Sequence, residues 1–386
     1  MSSANQPIPT EAGKSRLAAI VLAAGYSSRM ADFKPLLPLA GSTALERSIG
    51  LLRAVGIAEV IAVLGHRAEE LQPLAERAGA RCVRNPHFDQ GMFSSVAAGS
   101  RALPGGVEAA FVLPADIPLV RPNTVRQLAA AFATRLASIA YPVFEGRRGH
   151  PPLIARNILL EAARDGELGP LPDLLARHEG EAIEVQVWDQ CIHMDMDTRA
   201  GYDELRALAA CREIPTGAEC EAILAGQSVE PTIIRHVRMV ADVAQRIALA
   251  LVRSGVSLNL ELVRAGALLH DLAKGQPNHA EVGAAILRSM DFPRVATVVG
   301  AHTDLDFTGD RLDESAIVYL ADKLVRGERL LTISQCFQPA LTRFSDNPLA
   351  LRAVQIRMAT AKAVALAVET RLGAPLASIV TESGKL

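Results

Sequence analysis

The chain holds 386 residues, with 40 Lys plus Arg against 42 Asp plus Glu and a formal net charge of −2, a length that predicts two domains at roughly 150 residues each. The balanced charge excludes a global basic field for nucleic acid or an anionic membrane, so any polyanion must be gripped locally. No apolar run reaches the ~18 residues of a spanning helix, and Cys82, Cys191, Cys211, Cys220 and Cys336 form no CxxC pair, which points to a soluble protein of a reducing, cytoplasmic compartment without zinc ribbon or disulfide framework.

Residues 1–15 are polar and hold Pro7 and Pro9, without the apolar segment of a signal peptide or an Arg-rich amphipathic face, and read as a disordered tail. From about residue 16 to 207, short apolar runs such as Ala18 to Leu22, Val60 to Leu64 and Ala110 to Leu113 alternate with amphipathic stretches, predicting an α/β domain. Because the runs are continuous rather than alternating, the sheet should be mostly parallel and covered on both faces, Rossmann-like, with ligands at the strands' carboxyl ends.

The first run enters Ala23-Ala24-Gly25-Tyr26-Ser27-Ser28-Arg29-Met30, and Lys34 follows. Small residues let backbone N–H groups approach phosphates, Gly25 can take positive φ, and Arg29 and Lys34 supply cations. Gln90 to Val96, with Gly91, Ser94 and Ser95, precedes a helical stretch from Ala97 to Leu103; hydroxyls there either bind an anion or cap the helix. The strand ending at Leu113 runs into Pro114-Ala115-Asp116-Ile117-Pro118, where Asp116 either caps the turn or takes Mg²⁺ against phosphates. His150 follows Arg148-Gly149, and Asp195 and Asp197 precede Thr198.

Residues 208–222, around Pro215, Thr216 and Gly217, read as a linker. Beyond it the strand pattern stops and apolar residues recur at helical spacing over 223–386, an all-α domain. His236, the pair His270-Asp271, His279, His302 and Asp322 sit in or beside these apolar stretches. Neighbours on a helix point ~100° apart, so His270 and Asp271 can line one cavity between packed helices, and imidazole with carboxylate suits Mg²⁺, Mn²⁺ or Fe²⁺. Lys274 and Arg238 are phosphate contacts or solvated helix charges.

LAAGYSSRMADFKPLLPL resembles the opening motif of the nucleotidyltransferases of molybdenum cofactor biosynthesis, with Ala31 where that family carries glycine. The resemblance, over about the first half of the chain, implies that Leu22, Ala23, Ala24 and Gly25 contact the nucleotide and that Arg29 and Lys34 act on its phosphates. It also makes Gly91, Ser94 and Ser95 contacts to base and ribose, Phe93 departing from the family's GMSSSL. LPADIPLV and the DMDT string resemble the family's metal motifs, implying Mg²⁺ on Asp116, Asp197 and Asp195, with RGHP near the acceptor. LAAG rather than LAGG favours CTP over GTP. The implied reaction is cytidylyl transfer to a small phosphorylated acceptor, molybdopterin first, another small phosphate or sugar phosphate second; a molybdoenzyme receiving the cofactor is the implied partner.

ALLHDLAK and ADKLV are similar to the HD superfamily of metal-dependent phosphohydrolases. That resemblance implies His236, His270, Asp271 and Asp322 as ligands of one divalent ion, Asp271 also being catalytic, and His279 and His302 as ligands of a second where the site is binuclear. Either half could instead act as a nucleotide-binding regulatory module.

Overall fold

A computed structural model describes residues 17–27, 30, 32–135, 137–164, 171–309 and 311–381. The tail expected over residues 1–15, together with Arg29, lies outside them. The chain divides between Arg212 and Glu213 into two compact units.

The first unit opens with β1 (Leu17–Ala23), buried along its whole length because every one of its seven residues is apolar. A small ribbon, β2 (Pro38–Leu39) and β3 (Ser42–Thr43), leads into α1 (Ala44–Ala54), then β4 (Glu59–Leu64), α2 (Ala68–Arg77) and β5 (Arg81–Arg84). Next come α3 (Met92–Arg101), β6 (Ala109–Pro114), α4 (Pro122–Thr134), β7 (Ile139–Phe144), β8 (Arg147–Arg148) and β9 (Leu153–Ala155). The unit ends with α5 (Arg156–Arg164), α6 (Leu171–Arg177), β10 (Ala182–Gln186) and α7 (Arg199–Ala210).

The main sheet runs β10-β7-β9-β6-β1-β4-β5, with β8 paired to β7. β1 lies parallel to both β4 and β6, with Ala18 opposite Glu59 on one side and Ala110 on the other. The chain leaves β1 towards β4 and leaves β6 the other way, so the crevice between the carboxyl ends of β1 and β6 is the topological switch point. The sheet is mostly parallel as expected, with two short antiparallel strands: β9 against both β6 and β7, and β8 against β7. α1 starts with a capping box, Thr43 Oγ1 accepting from the Glu46 amide and the Glu46 carboxylate from the Thr43 amide. α3 lies close on the sheet because Gly99 carries no side chain; a Cβ there would stand 2.5 Å from Ile20 Cγ2.

The second unit is helical: α8 (Gly217–Gly226), α9 (Pro231–Arg253), α10 (Leu260–Leu269), α11 (His279–Ser289), α12 (Pro293–Ala301) and α13 (Glu314–Asp322). A hairpin, β11 (Val325–Arg326) with β12 (Arg329–Leu330), interrupts the expected all-α pattern before α14 (Ile333–Arg343), α15 (Pro348–Leu372) and α16 (Leu376–Thr381). Along α9 the buried positions Val237, Val240, Val243, Ala244, Ile247 and Leu251 form one apolar stripe, which packs on α10 and α13. Gly266 admits the close approach of α12, since a Cβ there would lie 2.5 Å from Val298 Cγ1. No helix among the described residues is long and apolar enough to cross a membrane.

Candidate active sites

At the switch point of the first unit, the turn after β1 carries Lys34, 8% exposed, as the first residue of a 3₁₀ turn with Pro35 next to it. Its Nζ lies 3.0 Å from Asp116 Oδ2, at the end of β6, and also contacts Asp197 Oδ1 just before α7. Burial works against the charge on Lys34, but the Asp197 and Asp116 carboxylates outweigh it and hold the amine above its ordinary value. One ammonium thus stands between two acids separated by 81 residues of sequence (197 − 116).

Asp195 is exposed and serves as a brace: its Oδ1 accepts from the Asp197 amide at 2.9 Å. A second, unforeseen brace is Asp189, 1% exposed, which accepts from the Arg121 amide at 2.6 Å, Thr124 Oγ1 at 2.8 Å and the Cys191 amide at 3.1 Å. It ties the start of α4 to the turn that leads to Asp197. Burial pushes the His150 imidazole below the ordinary histidine range despite the Asp116 charge nearby, and its buried Nδ1 has no hydrogen-bond partner among the described residues.

The phosphate-loop expectations need one correction. Ser27, not Gly25, takes the left-handed conformation, at φ 59°, because its Oγ accepts from the Lys34 amide at 3.1 Å and its carbonyl from the Met30 amide at 3.1 Å. Leu22, Ala23 and Ala24 are buried at the end of β1 while Gly25 is exposed with open space around its Cα. Gly91 does take positive φ, 93°, at the start of α3. The α3 hydroxyls turn inwards: Asn85 Nδ2 donates to Ser94 Oγ at 2.8 Å and Ser95 Oγ at 3.1 Å. Asn85 was not singled out in the sequence because a lone Asn after a strand carries no signal. Beside the loop, the Tyr26 ring lies 5.1 Å from both His66 and Phe88.

In the second unit, the six residues singled out from the sequence meet in one cage. The end of α10 delivers His270 and Asp271, α9 His236, the first turn of α11 His279, the end of α12 His302 and the end of α13 Asp322. Nε2 of His270 is 3.6 Å from Asp271 Oδ2 and 3.5 Å from Asp322 Oδ1, and His236 Nε2 is 3.2 Å from the same Asp322 oxygen. On the other side of Asp271, Oδ1 lies 3.4 Å from His279 Nε2 and 3.5 Å from His302 Nε2, which are 3.1 Å from each other. Asp271 therefore offers one oxygen to each of two ligand sets, His236 with His270 and His279 with His302.

The imidazoles are aimed by the backbone. Nδ1 of His236, His270 and His302 lies 3.1, 2.8 and 2.6 Å from the carbonyls of Gly327, Ala267 and Val299. A carbonyl only accepts, so each Nδ1 carries the proton and each Nε2 can present a lone pair to the cage. His270 Nε2 is buried without a hydrogen-bond partner. Two ligand atoms each ~2.1 Å from one ion stand roughly 3.0–3.5 Å apart, matching most of these separations, so the donor set and the orphaned nitrogen fit divalent cations. Burial opposes ionisation of Asp322, yet Lys323, His236 and His270 hold its carboxyl well below the usual range; for Asp271 the histidines and Lys274 do the same. Lys274 Nζ lies 3.0 Å from Asp271 Oδ2, whereas Arg238 is engaged at 2.7 Å by Glu221 on the exposed side of α9.

Residues 19–182 match the MobA-like NTP transferase domain and residues 233–327 the HD domain. A bifunctional IPC transferase and DIPP synthase from Rubrobacter xylanophilus is 34% identical over 164 residues, 41% of this chain and 36% of that protein. The molybdenum cofactor cytidylyltransferase of Escherichia coli is 28% identical over 180 residues, 46% of this chain and 90% of that protein. The chain thus spans about a third of the first relative and nine-tenths of the second. A nucleotidyl transferase structure from Methanothermobacter aligns at 24% identity and TM-score 0.44 over 51% of this chain and 98% of that one. By these family matches the first unit contains a MobA-like NTP transferase domain and the second an HD domain.

Proposed function

We propose that the first unit transfers the cytidylyl group of CTP to a phosphate on molybdopterin and releases pyrophosphate, while the second unit hydrolyses a phosphoester with divalent metal ions. The observation that carries the transfer reading is the Lys34 ammonium held between Asp116 and Asp197 at the crevice of the sheet: the two acids already share one cation where a magnesium-bound triphosphate would need another. Mg²⁺ takes one or two carboxylates plus substrate phosphates, and Asp116 with Asp197 would supply the first; when bound, it neutralises phosphate oxygens. Asp195 braces Asp197 through its amide, Asp189 fixes the turn that leads to it, and Lys34, within reach of the same point, offsets charge as it develops. An acceptor phosphate oxygen bonds to the α-phosphorus, the bond from that phosphorus to the β-phosphate oxygen breaks, and pyrophosphate leaves. Arg29, Gly91, Ser94 and Ser95 complete the nucleotide contacts in this reading.

The choice of CTP and molybdopterin is supported by the LAAG string and by similarity to the E. coli cytidylyltransferase. A second acceptor, another small phosphate or sugar phosphate, is favoured by the similarity to the Rubrobacter protein, which bears a different transferase name. Pyrophosphate release with CTP, GTP or UTP and molybdopterin or a sugar phosphate separates the readings. Release that is fastest with CTP and molybdopterin and falls at least a hundredfold in Asp116→Ala supports the proposal; release unchanged by that substitution removes it.

For the second unit, His236, His270, Asp271 and Asp322 would hold one ion and Asp271, His279 and His302 another, the pair clamping a phosphoester. The bridging placement of Asp271 supports the binuclear form.

A further inference from the structure

The cage of the second unit opens into a cavity of about 370 Å³, inside the ~300–1,000 Å³ range of small-molecule sites. His279, His302 and Asp322 of the cage line part of it. Much of the remaining lining is apolar: Val325, Phe337, Ala340, Phe344 and Val354. The last four come from α14, its C-terminal end and α15, beyond residues 233–327 that match the HD domain. Phe337 and Val354 belong to a small buried core with Tyr319 and Ala361, which fixes them, while Ala340 and Phe344 pack against that core only partly buried and leave apolar surface for an occupant. Four Lys and Arg side chains line the same space, and three are already engaged: Lys274 by Asp271, Lys323 by Asp322 and Arg357 by Asp304. Arg326, exposed on the hairpin, is engaged by no ion pair among the described residues.

No side chain of that lining is an amide, its one carboxylate, Asp322, is engaged by His236 and Lys323, and its one hydroxyl, that of Thr303, lies 3.3 Å from His302 Nε2. The hydroxyls of a sugar or the polar edge of a heterocycle would therefore face carbon without partners, which disfavours them. Inorganic pyrophosphate would leave the apolar surface bare. An alkyl or aryl group instead gains from that surface in proportion to the area it covers. We infer that the second unit takes a phosphomonoester of an apolar alcohol, its phosphate at the cage beside Arg326 and its alkyl or aryl group against Ala340, Phe344 and Val354. This rests on the phosphohydrolase reading above and names the substrate class. In the step, a water oxygen bonds to phosphorus and the ester phosphorus–oxygen bond breaks. One water proton passes to the departing alcohol oxygen, the other stays on the phosphate, and the alcohol and inorganic phosphate leave.

The test uses the full chain, chelator-treated and Mn²⁺-loaded, titrated calorimetrically with n-pentylphosphonate and methylphosphonate, whose carbon–phosphorus bonds water does not cleave. Phosphate release from n-pentyl phosphate, phenyl phosphate, ribose 5-phosphate and AMP is measured on the Mn²⁺-loaded protein. The same is done for Phe344→Ala and Arg326→Ala, which leave the first unit untouched. The pentyl compound should bind about tenfold tighter than the methyl one. Phe344→Ala should shrink that difference, and Arg326→Ala should weaken both alike. Release, compared as kcat/KM, should be fastest from pentyl or phenyl phosphate, and the faster of these two tells an aliphatic alcohol from an aromatic one. Should Phe344→Ala fail to fold, the two phosphonates on the unsubstituted chain decide. Equal binding of the phosphonates, or faster release from ribose 5-phosphate or AMP, overturns the inference and leaves the hydrolase reading standing. A Phe344-dependent preference for n-pentylphosphonate with no phosphate released from any ester overturns the hydrolase reading instead and leaves a binding cavity for apolar phosphates.

Discussion

Lys34 is gripped by acids 82 and 163 residues further along the chain, so its side chain is both a phosphate-binding group and the cation that makes two neighbouring carboxylates tolerable. Replacing it by Met should lower the rate of pyrophosphate release about 10²–10³-fold, the size of losing one preorganised charge in a transition state. The same variant leaves Asp116 and Asp197 facing each other, so millimolar Mg²⁺ should raise its melting temperature more than that of the unsubstituted chain; equal shifts in a thermal melt would mean that the ammonium is not holding a cation position. Asp271 is the corresponding hinge of the second unit, since one of its oxygens faces each ligand set. Asp271→Asn should empty both positions, whereas His302→Ala should empty the His279 side alone. Metal content after dialysis, measured by plasma mass spectrometry, is expected to fall from two ions per chain to none and to one, respectively.

The sheet depends on how closely α3 lies on β1, and that closeness is set by Gly99. A Cβ there would meet Ile20 Cγ2 at 2.5 Å and Val63 Cγ2 at 3.1 Å, both methyls of stiff β-branched side chains. Gly99→Ala should therefore destabilise the first unit by about 1–3 kcal/mol, an overpacking cost that urea unfolding followed by circular dichroism would register. Elements such as β1, β4 and β6 were legible in the sequence because continuous apolar runs flanked by helical stretches admit few other placements. β9 was not: three residues, Leu153–Ala155, are too short to carry a period, and its antiparallel direction comes from pairing between β6 and β7 rather than from any local pattern. The β11–β12 hairpin escaped for the same reason, with two residues per strand. The candidate ligand residues could be singled out because His270-Asp271 and the Asp116 turn sit in distinctive strings, whereas the residues that brace their surroundings could not: Asp189 and Asn85 act through contacts made only after folding. Ser27 in place of Gly25 at positive φ illustrates a similar limit, since a side-chain hydrogen bond to the Lys34 amide fixes the turn where composition alone favours glycine.

Two sets of chemistry sit in two contact units, and every side chain in each set comes from its own unit. If each unit acts by itself, substitutions should dissociate cleanly. Asp116→Ala should abolish pyrophosphate release while leaving the metal content of the cage at the level of the unsubstituted chain. His270→Ala should do the reverse, because it removes the buried Nε2 that faces the cage without touching the crevice of the sheet. A regulatory relation between the halves predicts another pattern: binding energy that favours one state of a coupled system must be reciprocal. CTP would then change the metal affinity of the cage, and the metal would change the affinity for CTP by the same factor. Titrating CTP into chelated and Mn²⁺-loaded protein reads that factor directly. A ratio of one, together with the clean dissociation of the two variants, is the outcome expected for two self-contained sites, and a ratio of about five or more would assign one half the role of controlling the other.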